Sequence, residues 1–130
     1  MIKDAQGQAV TGVTPESVAL YDQAVRAFNL GYRDAVGLFD AARQASPDFV
    51  MAHLGKAWLF AISNDPSFAG QARTLIETAE KLAMNDREQG HLAALNKALA
   101  SERRAAVGLL DRHLMHYPFD TMGHQAAVLL

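Results

Sequence analysis

Apolar residues recur along most of this chain at intervals of three and four, the period of a helix that buries one face. Clusters rich in Gly, Pro, Ser, Asn and Asp interrupt that period and mark turns. Residues 1–13 have no such period and read as an extended lead-in. Thr14-Pro15-Glu16 then opens a first helix: Thr14 can cap free N–H groups, Pro15 suits the first helical position, and Glu16 favours the positive end of the dipole. That helix is expected to run to about Leu30, with Gly31 free to take the left-handed turn that ends it. A second helix is expected from about Tyr32 to Ala45, closed by Ser46-Pro47-Asp48 because proline cannot continue the ladder.

A third helix, about Phe49 to Ser63, is apolar nearly all round. It carries the only tryptophan, Trp58. A helix without a polar face is buried on more than one side. After the turn Asn64-Asp65-Pro66-Ser67, an amphipathic fourth helix spans about Phe68 to Ala83, with Glu77, Glu80 and Lys81 outward. Asn85 and Glu88 stand three apart, the spacing of a capping box, and open a fifth helix that reaches about Ala100. Ser101 is the expected cap of a sixth helix, about Glu102 to Tyr117, which Pro118 ends. Asp120 is the expected cap of a seventh, 121–130, which is still apolar at Val128-Leu129-Leu130.

A spacing returns within this pattern. Ala35, Phe39, Ala42 and Pro47 fall four, three and five residues apart, and Ala106, Leu110, His113 and Pro118 repeat those intervals. Ala72, Ile76 and Ala79 form a middle copy without its proline, 37 residues after the first and 34 before the third. Small–large–small at helical spacing lets two backbones approach while the large residue fills the gap. The helices therefore group into pairs at 14–46, 49–83 and 86–117, with an orphan at 121–130.

A period near 34 with this Ala/Phe/Ala/Pro pattern resembles the tetratricopeptide repeat. Ala24, Ala57 and Ala94 stand where the repeat's glycine would be, and His113 takes the place of a small residue in the third copy. The fold that the resemblance implies is all-α: a right-handed helix-turn-helix solenoid of about three degenerate repeats plus an extra C-terminal helix. The chain as a whole is similar to the N-terminal part of the tetratricopeptide repeat protein 38 family. The stretches that carry this are the Gly-Gln-Ala lead into Thr14-Pro15-Glu16-Ser17 with Tyr21-Asp22, Ser46-Pro47-Asp48-Phe49 with Ala52-His53, Asp86-Arg87-Glu88 with His91, and His113-Leu114 through Tyr117-Pro118 with Asp120. The family brings no established reaction with it.

In such arrays the first helix of each pair lines a concave face. That register places Tyr21, Val25, Phe28, Met51, Leu54, Trp58, Ile62, His91, Leu95 and Leu99 on an apolar, aromatic groove. The expected occupant of this face and of the C-terminal helix is further helices of a longer repeat protein of which this chain would be a fragment, a second copy, or a protein partner. Trp58 would be the anchor. The rival expectation is a small apolar ligand or an enzyme-accessory role that uses His53 and His91, which fall near the starts of neighbouring first helices.

Composition narrows the function classes. A net charge of −2 with scattered Lys and Arg gives no electrostatic footprint for nucleic acid or an anionic membrane. Arg103, Arg104 and Arg112 read as a solvated helix face. Cysteine is absent, which removes disulfides and thiolate metal sites and suits a reducing cytoplasm. The longest apolar stretch, near 49–62, is interrupted by His53 and Lys56 and is short of a membrane span. Neither a G-x-S-x-G elbow nor a glycine-rich phosphate loop is present, so no enzyme chemistry, metal or cofactor is expected. His113 and His116 are three apart, as two ligands of one metal can be. We read them instead as one histidine packed between helices and one bonded to a carbonyl at a helix C-terminus, with Asp111 and Asp120 pointing elsewhere or lying beyond the helix end.

Overall fold

The computed structural model describes residues 2–31, 34–63 and 65–130. The regular structure there is seven helices: α1 (Pro15–Leu30), α2 (Ala35–Ala45), α3 (Val50–Ile62), α4 (Ser67–Glu80), α5 (Asp86–Leu99), α6 (Arg103–His116) and α7 (Thr121–Leu129). The expected start of the second helix at Tyr32, and Asn64 of the following turn, lie outside the described residues. Among the described residues no helix is long and apolar enough to cross a membrane.

The helix ends follow from local chemistry. Thr14 and Ser17 form a reciprocal capping box at α1, and Gly31 closes that helix at φ 74° with its N–H on the carbonyls of Ala27 and Phe28. Asn85 and Glu88 do the same at the start of α5. The Asp120 side chain accepts from Gly123 N–H at the start of α7. Ser101 departs from expectation: it does not cap α6. It sits at φ 62° as the left-handed residue that ends α5, with Ser101 N–H on Ala98 O and Glu102 N–H on Lys97 O. Those two bonds are the Schellman closure. The position before α6 falls to Glu102, whose side chain makes no capping bond.

Each helix packs on its neighbour in sequence, most extensively within α1/α2, α3/α4 and α5/α6, and α7 packs on α6, α1 and α3. The small–large–small faces are the buried ones: Ala35, Phe39 and Ala42 on α2, Ala72, Ile76 and Ala79 on α4, Ala106, Leu110 and His113 on α6. Close approach is enforced at Gly55 of α3, where a Cβ would stand 2.5 Å from Phe39 Cε1. Along Val50–Trp58 every residue but Lys56 is buried, as an all-apolar helix requires.

The lead-in does more than its lack of period suggests. Asp4 Oδ1 accepts the amides of Gln6 and Gln8 and closes a tight loop, with Lys3 and Ala9 bridged across it. The strand-like segment beyond then crosses the starts of α3 and α5. Val50 N–H donates to Thr11 O, Asn85 Nδ2 donates to Ala9 O, and Val10 is buried.

The expected groove is corrected by this packing. Tyr21, Val25, Phe28, Met51, Leu54, Trp58, His91 and Leu95 are buried, and Ile62 and Leu99 are half-buried. Met122 and Ala126 of α7 and Val10 of the lead-in join the same core. The physical reason is area: apolar side chains of this number are covered by whatever part of the chain can reach them. Within this chain the face is core, not an open channel.

Candidate functional site

The polar chemistry of the chain converges inside that core. Arg87 and His91 stand four apart on α5 and so share a face. His113 arrives from the last turn of α6, and the reversal at residues 117–120 returns Asp120 beneath it. Asp120 Oδ2 accepts two hydrogen bonds, from His91 Nε2–H at 2.7 Å and His113 Nε2–H at 2.9 Å, and forms an ion pair with the Arg87 guanidinium at 3.1 Å. Its other oxygen takes the Gly123 amide at 3.3 Å. Trp58 Nε1–H on α3 donates to His91 Nδ1 at 3.0 Å. Arg87 also faces Asp4 of the lead-in at 3.9 Å. Four helices and the lead-in thus meet on one buried, hydrogen-bonded group, packed ring to ring where His91 meets His113 at 4.9 Å.

The hydrogen-bond polarity fixes the protonation of His91. An indole N–H only donates, so His91 Nδ1 is the acceptor. The ring proton is on Nε2 and points at Asp120. Burial pushes the His91 pKa down, and the attraction of Asp120 does not outweigh it; His91 is neutral at pH 7. Burial alone would raise Asp120, but the pull of His91, the bonds from His113 and His91 and the charge of Arg87 hold its carboxyl well below the usual range. Burial raises Asp4, against the amides of its own loop and Arg87. Tyr21, fully buried, has its phenol pushed far up by desolvation.

His91, His113 and Asp120 each offer a ligand atom within 4.8 Å of the others, which raises a metal. The donor set does not fit one. A metal on His91 Nε2 would move the ring proton to Nδ1, against the Trp58 N–H at 3.0 Å. It would also set a cation beside Arg87, which already lies 3.1 Å from the same carboxylate oxygen. A carboxylate with three hydrogen-bond donors and a guanidinium beside it is equally unsuited to act as a general base. The geometry is that of a lock between helices.

The histidines expected to cooperate do not meet. His53 Nδ1 accepts Arg43 Nε–H at 2.9 Å, so its Nε2–H donates to Pro47 O at 2.7 Å. It stands in the first turn of α3 and ties that helix to Arg43 of α2 and to the turn at Pro47, with no bond to the His91 cluster. His116 Nδ1–H donates to Arg112 O at 3.1 Å while His113 packs between helices, as read from their spacing. Asp120 lies beyond the end of α6, as expected, yet the reversal brings it back to His91 and His113 as the centre of the cluster as well as the cap of α7. Asp4, Arg87, His113 and Asp120 were not legible together. The one signal for them is His113, where the repeat otherwise places a small residue.

Comparison with models of known protein families, with curated proteins and with solved structures finds no match.

Proposed function

We propose that the chain is a protein-interaction or assembly module: a right-handed solenoid of about three tetratricopeptide-like helix pairs with a further C-terminal helix, akin to the N-terminal part of the tetratricopeptide repeat protein 38 family. Its supports are the pairwise packing of consecutive helices and the recurrence of small–large–small on the buried faces of α2, α4 and α6. No covalent chemistry is proposed. The histidines that a small-ligand reading would use have their ring nitrogens committed within the chain.

The observation that carries the reading is where large apolar side chains remain exposed. Among the described residues five large apolar side chains are exposed; Leu30 ends α1, while Met115, Phe119, Val128 and Leu129, 81, 72, 79 and 45% exposed, cluster in the last turn of α6, the following loop and α7. With the inner face closed, contact with a protein partner or a second copy falls to this C-terminal region. Light scattering behind size exclusion, over a concentration series, tests it. A concentration-dependent dimer or larger species that Val128→Asp returns to monomer is expected. A monomer at every concentration contradicts self-association and leaves only a partner of different sequence.

A further inference from the structure

The seam between the second and third helix pairs carries a buried hydrogen bond that a single added proton abolishes. Trp58 of α3 can only donate, and His91 of α5 answers with its one free lone pair. Adding a proton to His91 places N–H against N–H across 3.0 Å in a region where both residues are fully buried. The indole then has no acceptor, and an unpaired buried donor is costly. We propose that this contact is a proton-sensitive hinge: acid turns Trp58 and His91 from partners into opposed donors and loosens α3 from α5, while the pairs α1/α2, α3/α4 and α5/α6 keep their internal packing.

The charged surroundings favour a local response. Asp120 faces His91 from the α7 cap, His113 from α6 and Arg87 from α5 itself. Asp4 of the lead-in stands behind Arg87, and Tyr21 of α1 lies close enough to Arg87, Asp4 and Asp120 to interact with them. A charged His91 gains attraction from Asp120, so that side of the ring stays held. It gains repulsion from Arg87 and loses its bond on the Trp58 side. The strain therefore concentrates at α3 rather than at α7. Burial places the event below the ordinary histidine value of 6.5.

Because Trp58 is the only tryptophan, its emission reports this contact alone. The full chain is titrated from pH 8 to 4, with far-UV circular dichroism recorded on the same samples. A reversible red shift and loss of Trp58 emission is expected below pH 6.5, at a pH where the helical signal is still intact. His91→Gln can accept from Trp58 and donate to Asp120 without titrating, so it is expected to abolish the step, whereas His113→Gln leaves it in place. Emission that changes only together with helicity, or a step that survives in His91→Gln, overturns the proposal. Should His91→Gln not fold, the Trp58 indole proton in NMR spectra of the unmodified chain decides. Its hydrogen-bonded shift is expected to be lost ahead of the backbone amides of the helices, and a shift unchanged until they unfold refutes the hinge.

Discussion

Glu88 and Thr11, 77 residues apart in sequence, meet through two bonds: the Thr11 amide donates to Oε2 at 3.0 Å and its hydroxyl to Oε1 at 2.6 Å. The same Oε1 accepts the Asn85 amide at 2.9 Å. One buried carboxylate therefore starts α5 and clamps the lead-in onto it.

Removing that carboxylate leaves three donors unpaired. Glu88→Ala is expected to destabilise the chain by about 3 kcal/mol or more, and Thr11→Val, which deletes one bond to a charged acceptor, by about 1.5–3 kcal/mol. Urea unfolding measures both. An effect of Glu88→Ala as small as that of an ordinary surface cap would show that the lead-in is not held there.

The cap and core residues of α1, α5 and α7 are legible in the sequence because each uses chemistry local to three or four positions: Thr14 with Pro15, Gly31, Asn85 with Glu88, Asp120. The apolar period likewise identifies Trp58, Met51, Leu54 and Leu95 as facing inward. It cannot say what covers them, since that depends on where α7 and the lead-in travel. The Asp120 cluster is hidden for the same reason. Offsets along α6 relate His113 to His116, while the partner that matters stands across a chain reversal and the other histidine is on α5. Ser101 shows the complementary limit: a residue suited to start one helix is used to end the one before.

Asp120 is the acceptor for His91 and His113 and the counter-charge of Arg87. Asp120→Ala leaves those donors buried without it and is expected to cost about 3–5 kcal/mol in urea unfolding. A loss near that of a simple cap, about 1 kcal/mol, would mean that the cluster does not bind the helices together.

Stability is expected to fall on acidification. His91 titrates below its ordinary 6.5 in the folded chain, so the unfolded chain binds more protons in that window. The contribution is full above pH 6.5 and declines as pH drops. Asp120 acts in the same direction at lower pH, its stabilisation being complete above the unfolded value of 3.8 and lost beneath it. Asp4, raised by burial, works oppositely in the carboxylate range. Between pH 7.5 and 5 the urea midpoint is expected to decrease through His91, with His53, which burial also lowers, acting in the same direction. His91→Gln should flatten that decrease; an unchanged slope in this variant would contradict the assignment.

Two helix glycines should respond in opposite directions. A Cβ on Gly90 of α5 would overlap the His113 ring at Nδ1, and Gly90→Ala is expected to cost about 1–3 kcal/mol. Gly70 of α4 has nothing within 4 Å of its Cβ position. Gly70→Ala is expected to stabilise by up to about 1 kcal/mol through helix propensity alone. Thermal unfolding of the pair checks the placement of His113 against α5.

The apolar inner face is closed within the chain. Acrylamide quenching of Trp58 at neutral pH tests it most directly, because that ring is fully buried and is the only tryptophan. The expected result is blue-shifted emission that acrylamide barely reaches until the chain unfolds. Ready quenching of the folded chain at pH 7.5 would mean that the face around Trp58 is an open groove, and the closed core described above would be wrong.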